Sequence, residues 1–177
     1  MFFYTKPDGT RGSVSAFSNL FRYALLSERG NWWVDADVVC LSAHEPPGDL
    51  FFGWEDDRYV GSAILRLPYQ HPVLRELLRR SSEAGRDLPW GATGPKLLTA
   101  VVKELKFMRQ GYPAHYSYPV HWQEHKSLVL KSDWQKISQK LRGVPFLHLW
   151  NERFKSSTDF NLERPEPGSV VAELLYR

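Results

Sequence analysis

Apolar and polar positions recur with a helical period between Ser15 and Arg29, where Phe17, Phe21, Ala24 and Leu25 fall on one face and read as its core side. Ser13 or Ser15 is placed to cap this helix after a short polar turn from Lys6 to Gly12, and Gly30 to stop it. A second stripe of Ser15, Asn19, Arg22 and Leu26, with Ser18 alongside, is polar without being a string of surface charges. It is expected to hold solvent until a ligand arrives. The pattern then turns continuous: Trp32 to Val34 reads as a strand packed on both faces and central in its sheet.

Val38 to Leu41 is a further short apolar run, and His44 to Asp49 a proline-glycine loop. Tyr59 to Leu67 predicts another strand, in which Gly61 and Ser62 are too small to fill space, as where a ligand or backbone comes close. Pro72 opens a helix to Ser81 with Val73, Leu74, Leu77 and Leu78 inward. After a polar linker from Ser82 to Pro89, Thr93 can cap and Pro95 begin a helix that buries Leu97, Leu98, Val101, Val102 and Leu105. Gly111 to His125 is aromatic and proline-rich, more loop than element. A helix over Ser132 to Leu141, a strand over Val144 to Leu149, a linker from Glu163 to Gly168 and a short amphipathic helix complete the pattern. Strands alternate with helices, which argues an α/β fold, and nothing divides residues 1–177 into more than one domain.

Composition narrows the function classes. With 42% hydrophobic and 14% aromatic residues, 177 residues can bury a genuine core. The net charge of +3 comes from scattered Lys and Arg, not from a block or stripe, so a nucleic-acid partner is not indicated. One cysteine, Cys40, excludes an intrachain disulfide and a thiolate zinc cluster; its apolar surroundings predict a buried, inert thiol in a reducing compartment. No apolar run reaches the ~20 residues of a membrane span and the first residues lack a signal-peptide layout, so a cytoplasmic location is expected.

The chemistry gathers at GNWWVDADVVC, Gly30 to Cys40, where Asp35 and Asp37 follow an apolar strand. D-x-D is a common tripeptide, and alone it reads equally as a solvated turn. Two carboxylates this close, at the end of a covered strand, resist leaving water unless a cation sits between them.

The segment SAFSNLFRYALLSERGNWWVDADVV resembles the signature of the DXD sugar transferases of glycosyltransferase family 32, whose usual form is S-D-x-x-R-x-x-x-L, a glycine, and a strand ending in D-x-D. WGATGPKLLT, YPVHWQEH and FLHLWN are similar, in order and spacing, to blocks of the α-1,4-galactosyltransferase-like C-terminal region. The resemblance spans residues 12 to 157. It implies a GT-A-like, Rossmann-like nucleotide-diphospho-sugar transferase fold. The activity implied is a metal-dependent, retaining transfer of a hexose from a UDP- or GDP-sugar to a glycan or glycolipid acceptor. The sequence offers no carboxylate matching a nucleophile, so the implied route is front-face, with the leaving phosphate as base.

By that resemblance Asp37 is the firmer ligand to Mn2+ or Mg2+, Asp35 faces donor and metal, and His148 is the third ligand. On the residues alone, His148 also reads as a satisfied core histidine. Arg22 would hold donor hydroxyls beside Ser18 and Asn19, but Asn19 stands where the family usually has Asp. Restoring Asp there is expected to change the preferred sugar or raise turnover on one, with little effect on stability. Trp150 covers the nucleotide or fills the core, and Asn151 donates to a phosphate or ends its strand. Gly94 and Pro95, after Thr93, form a helix entrance that faces a donor or is simply capped. Gly61, Ser62, His121 and Trp122 are candidates for the acceptor, His121 and Trp122 reading equally as core filling. The first nucleotide-binding unit of such folds has no counterpart before the Arg22 helix, which predicts an N-terminally truncated form, an exposed sheet edge and a possible homodimer. It also keeps open a non-catalytic remnant that binds nucleotide or carbohydrate.

Overall fold

A computed structural model describes residues 3–4, 14–84, 87–89, 91–155, 157 and 159–175. Ser13 and the Lys6 to Gly12 turn lie outside them. In chain order the elements are β1 (Phe3–Tyr4), α1 (Ser15–Arg29), β2 (Trp32–Val34), β3 (Val38–Cys40), β4 (Ile64–Arg66), α2 (Pro72–Glu83), β5 (Asp87–Leu88) and α3 (Pro95–Glu104). They continue with α4 (Ala114–Ser117), α5 (Trp134–Lys140), β6 (Phe146–His148), α6 (Asn151–Phe154) and α7 (Val170–Leu175), joined by short 3-10 turns. Mixed helices and strands agree with the expected α/β class. The strands form two-stranded ladders among the described residues: β1 with β5 parallel, β2 with β4 antiparallel and β3 with β6 antiparallel. Trp32–Val34 is therefore paired on one side by β4, not set in the middle of a sheet. The chain resolves into two compact units, residues 1–34 with 47–112, and residues 35–46 with 113–177.

In the first unit, α1, α2 and α3 surround a core of Tyr23, Leu26, Leu65, Leu74, Leu98 and Val102. The apolar face expected for α1 is not the buried one. Phe17 and Phe21 are 42% and 49% exposed, while Asn19 and Arg22 are 5% and 4% exposed. The helix buries Ala16, Tyr23 and Leu26, and the polar stripe on that same face goes in with them. It can do so because its polar groups find partners: Asn19 Nδ2 donates to Thr93 Oγ1 at 3.4 Å and Arg22 Nη1 to the Ser62 carbonyl. The two phenylalanines stack on each other at 6.2 Å, and Phe21 meets the Trp33 ring edge-on at 6.0 Å.

The helix ends as expected at Gly30, whose φ of 63° is left-handed and whose N–H donates to Leu26 at 2.7 Å. A Cβ there would stand 2.7 Å from the Tyr69 nitrogen, so glycine is required twice over. Ser15 is the first helical residue, not a cap, and Val14 precedes it without a side-chain capping bond. At α3 the cap is Gly94 with Pro95 opening the first turn; Thr93, expected there, lies one residue earlier. Leu98, Val101 and Val102 are buried as predicted, but Leu105 follows the last turn and is 38% exposed. The strand predicted over Tyr59 to Leu67 contracts to β4, with Val60 making an isolated bridge to Trp54.

In the second unit, Leu128, Ile137, Leu147 and Val171 are buried. The register of its ladder pairs Val38 with His148, Val39 with Leu147 and Cys40 with Phe146. Cys40 is exposed, contrary to the buried thiol predicted: it is the last residue of β3, whose two valines are themselves only half-buried. The proline-rich stretch is more ordered than expected: it holds α4 and a 3-10 turn from Trp122 to Leu128. Glu124 there pairs with Lys136 at 2.8 Å and Lys140 at 2.6 Å, which ties the turn to α5.

Candidate functional site

The second unit brings Asp37, His148, Trp150 and Asn151 together. The turn after β2 is closed by a bond from the Val38 N–H to the Asp35 carbonyl at 3.0 Å. It delivers Asp37 just before β3, where the Leu149 N–H donates to its carbonyl at 2.8 Å. That register puts His148 beside it: Nε2 lies 3.3 Å from Asp37 Oδ1. The Asn151 N–H, at the first position of α6, donates to Oδ2 at 2.9 Å. Burial by itself raises the Asp37 carboxyl, but the hydrogen bond and charge of His148, with the N–H groups of Asn151 and of Asp37 itself, outweigh it. The carboxyl is held below its usual range and is ionised at neutral pH.

The imidazole is held by aromatic rings, Trp150 at 4.0 Å and Tyr118 edge-on at 5.9 Å. Its other nitrogen, Nδ1, is buried with no hydrogen-bond partner among the described residues. The polar contact made by this histidine is thus directed at Asp37.

Carboxylate oxygen and imidazole nitrogen both suit a divalent cation of the Mn2+ or Mg2+ type. Two donors each about 2.1 Å from one such ion, at right angles, stand about 3 Å apart. The 3.3 Å separation of Asp37 Oδ1 and His148 Nε2 fits that pair of positions. Among the described residues no group of three or more His, Cys, Asp or Glu is arranged to hold a metal.

His121 caps the 3-10 turn that Trp122 begins; their ring centroids are 5.1 Å apart, and His121 Nδ1 accepts from the Gln123 N–H at 3.3 Å. One face of Trp122 carries the Arg153 guanidinium, 4.1 Å from the ring centroid. That face is covered by a cation before any sugar reaches it.

The first unit holds the other candidates. Arg22 lies over the Trp33 ring at 5.2 Å, donates to the Ser62 carbonyl, and reaches Ser18 Oγ from Nη2 at 3.5 Å. Ser62 and Gly61 are buried, and the Gly61 N–H is taken by the Gly53 carbonyl at 2.9 Å. Asn19 packs against Gly94 so closely that a Cβ on that glycine would be 2.9 Å from Nδ2. Pro95 follows at the first helical turn. The stripe expected to be solvent-filled is thus packed.

Sequence reasoning had no signal for Tyr118 and the Val120 carbonyl, which hold His148 and Trp150, nor for Trp33 under Arg22 and Arg153 over Trp122. All but the Arg22–Trp33 contact join segments about thirty residues apart in sequence.

Residues 67–175, more than half of the chain, match the family described as "Alpha 1,4-glycosyltransferase conserved region". The lactosylceramide 4-alpha-galactosyltransferases of Homo sapiens and of Pan troglodytes are each 22% identical to it over 151 residues, covering 79% of this chain. The chain spans 42% of the length of these curated relatives. No solved structure matches it. No helix among the described residues is long and apolar enough to cross a membrane.

Proposed function

This chain belongs to the alpha 1,4-glycosyltransferase family, and from that premise we propose that it is a metal-dependent, retaining transferase moving a hexose from a UDP- or GDP-sugar to a glycan or glycolipid acceptor. The observation that carries the reading is the juxtaposition of Asp37 Oδ1 and His148 Nε2. It supplies two adjacent ligand atoms of the right kind, one of them an ionised carboxylate. A bound Mn2+ or Mg2+ would supply Lewis-acid stabilisation of the charge that develops on the departing diphosphate.

The protein's own groups do the rest. Before a metal binds, Asp37 keeps its charge because His148 and the Asn151 N–H outweigh its desolvation; on binding, Nε2 and Oδ1 would hold the cation in place of the His148 proton between them. The Asn151 N–H fixes the carboxylate plane by holding Oδ2, which leaves Oδ1 turned to the imidazole. Asp35, before the turn, adds a second carboxylate for the donor or the ion. In the first unit Arg22, Ser18 and Asn19 are the donor-sugar candidates, with Gly94 and Pro95 at the adjoining helix entrance. Gly61, Ser62, His121 and Trp122 remain the acceptor candidates.

Incubation of the protein with Mn2+ and a panel of UDP- and GDP-sugars tests the reading. Nucleoside diphosphate should be released only when metal and donor are both present. Binding of nucleotide or sugar with no Mn2+-dependent release, even at high protein concentration, would instead identify a non-catalytic binding form.

A further inference from the structure

Trp150 has a left-handed backbone, φ 58° and ψ 40°, although it is neither glycine nor asparagine. That region is sterically disfavoured for a bulky side chain and persists only where surrounding contacts over-determine it. The contacts here are specific. The residue is 8% exposed, its indole N–H donates to the Val120 carbonyl at 2.8 Å, and its ring lies 4.0 Å from the His148 ring and 5.9 Å from that of Tyr118. Its carbonyl accepts the Arg153 N–H at 2.8 Å, which starts α6.

The left-handed residue falls between two groups that hold Asp37. Just before it, His148 faces Oδ1 and the Leu149 N–H binds the Asp37 carbonyl; just after it, the Asn151 N–H turns back onto Oδ2. An extended residue 150 would continue the line of β6 and carry the Asn151 N–H away from the carboxylate. We propose that Trp150 is a positioning residue, whose buried, hydrogen-bonded indole locks the left-handed turn that sets His148 and the Asn151 N–H on the two oxygens of Asp37. The inference deepens the reading of Asp37 and His148 as a cation site and rests on that reading for its consequence, though not for its geometry.

Two variants separate the anchor from the backbone. Trp150→Phe keeps a ring beside His148 but loses the bond to Val120, and Trp150→Gly makes the left-handed turn free of strain but removes the anchor. Amide hydrogen exchange in the metal-free protein reads the geometry directly. Protection of the Asn151 N–H should fall about tenfold or more in both variants, while that of the Leu149 N–H, bonded to the Asp37 main chain, stays near wild type. Mn2+ affinity, read by electron paramagnetic resonance, should weaken about tenfold in parallel.

Unchanged Asn151 protection in Trp150→Phe overturns the proposal, as does an equal loss at Leu149 and Asn151, which marks Trp150 as mere core packing. Full protection restored by Trp150→Gly also overturns it, since backbone freedom would then suffice. Wild-type protein that binds no Mn2+ removes the cation reading, and the exchange pattern still decides whether Trp150 positions Asn151.

Discussion

Oδ1 of Asp37 faces Nε2 of His148 at 3.3 Å across the β3–β6 ladder. The first expectation follows from that pair. Asp37→Asn keeps an oxygen for the Asn151 N–H but removes the charge. The melting temperature should move by only a few degrees, whereas Mn2+-dependent diphosphate release should drop by at least about a hundredfold. Turnover at the wild-type rate would remove the role assigned to this carboxylate.

Asn19 is packed against Thr93 and Gly94, so Asn19→Asp is no longer expected to be neutral for stability. A carboxylate buried there should cost about 1–3 kcal/mol at pH 7. Its folded pKa would lie above the unfolded value, so the penalty is present above the unfolded pKa of about 3.9 and vanishes below it. Denaturation at pH 7 and pH 3.5 checks the sign. Equal stability at pH 7 would show that the carboxylate has found Arg22, one turn on.

Gly94→Ala should destabilise by about 1–2 kcal/mol, because the new Cβ would stand 2.9 Å from Asn19 Nδ2. The double variant with Asn19→Ala should recover part of that loss. Strictly additive denaturation free energies would show that the clash is relieved elsewhere.

Glu124 is subject to burial, which raises its carboxyl, and to bonds and charge from Lys136 and Lys140, which prevail and lower it to about 2. Its folded pKa is depressed, so its contribution is present above the unfolded value of 4.5 and is lost as pH falls through about 2. Glu124→Gln should cost on the order of 1 kcal/mol at pH 7 after allowance for solvent screening, and the gap from wild type should close in acid. Urea midpoints from pH 7 down to 2 measure it. A constant gap would assign the effect to packing.

Phe17 and Phe21 offer a test of which face of α1 is buried. Replacing either with Ser should cost less than about 1 kcal/mol, against about 3–5 kcal/mol for emptying a core phenylalanine site. Urea unfolding of the two single variants decides. A loss in the larger range would put these rings in the core after all.

Much of the element map was legible along the chain because it is local. Pro72 and Pro95 mark helix starts, Gly30 marks a stop, and the continuous apolar run after it marks a strand, each through backbone geometry that neighbouring residues impose. The D-x-D pair and the FLHLWN block singled out Asp37 and His148 before any fold was known.

The tertiary structure decided what local pattern leaves degenerate. Helix α1 carries two faces, one with Phe17 and Phe21 and one with Tyr23 and Leu26, and periodicity alone favours the first. The second is buried with Thr93 and Ser62, distant in sequence, each accepting hydrogen bonds from it, Thr93 from Asn19 and Tyr23 and Ser62 from Arg22, and a polar group that is hydrogen-bonded can go inside. Cys40 is exposed at the end of a strand whose valines are only half-buried, although the apolar run around it reads as core. Trp150 carries no signal for a left-handed turn, since its side chain opposes one. The bond to Val120, 30 residues away in the chain, and the packing on His148 and Tyr118 hold it there, and no pattern local to residue 150 reports those contacts.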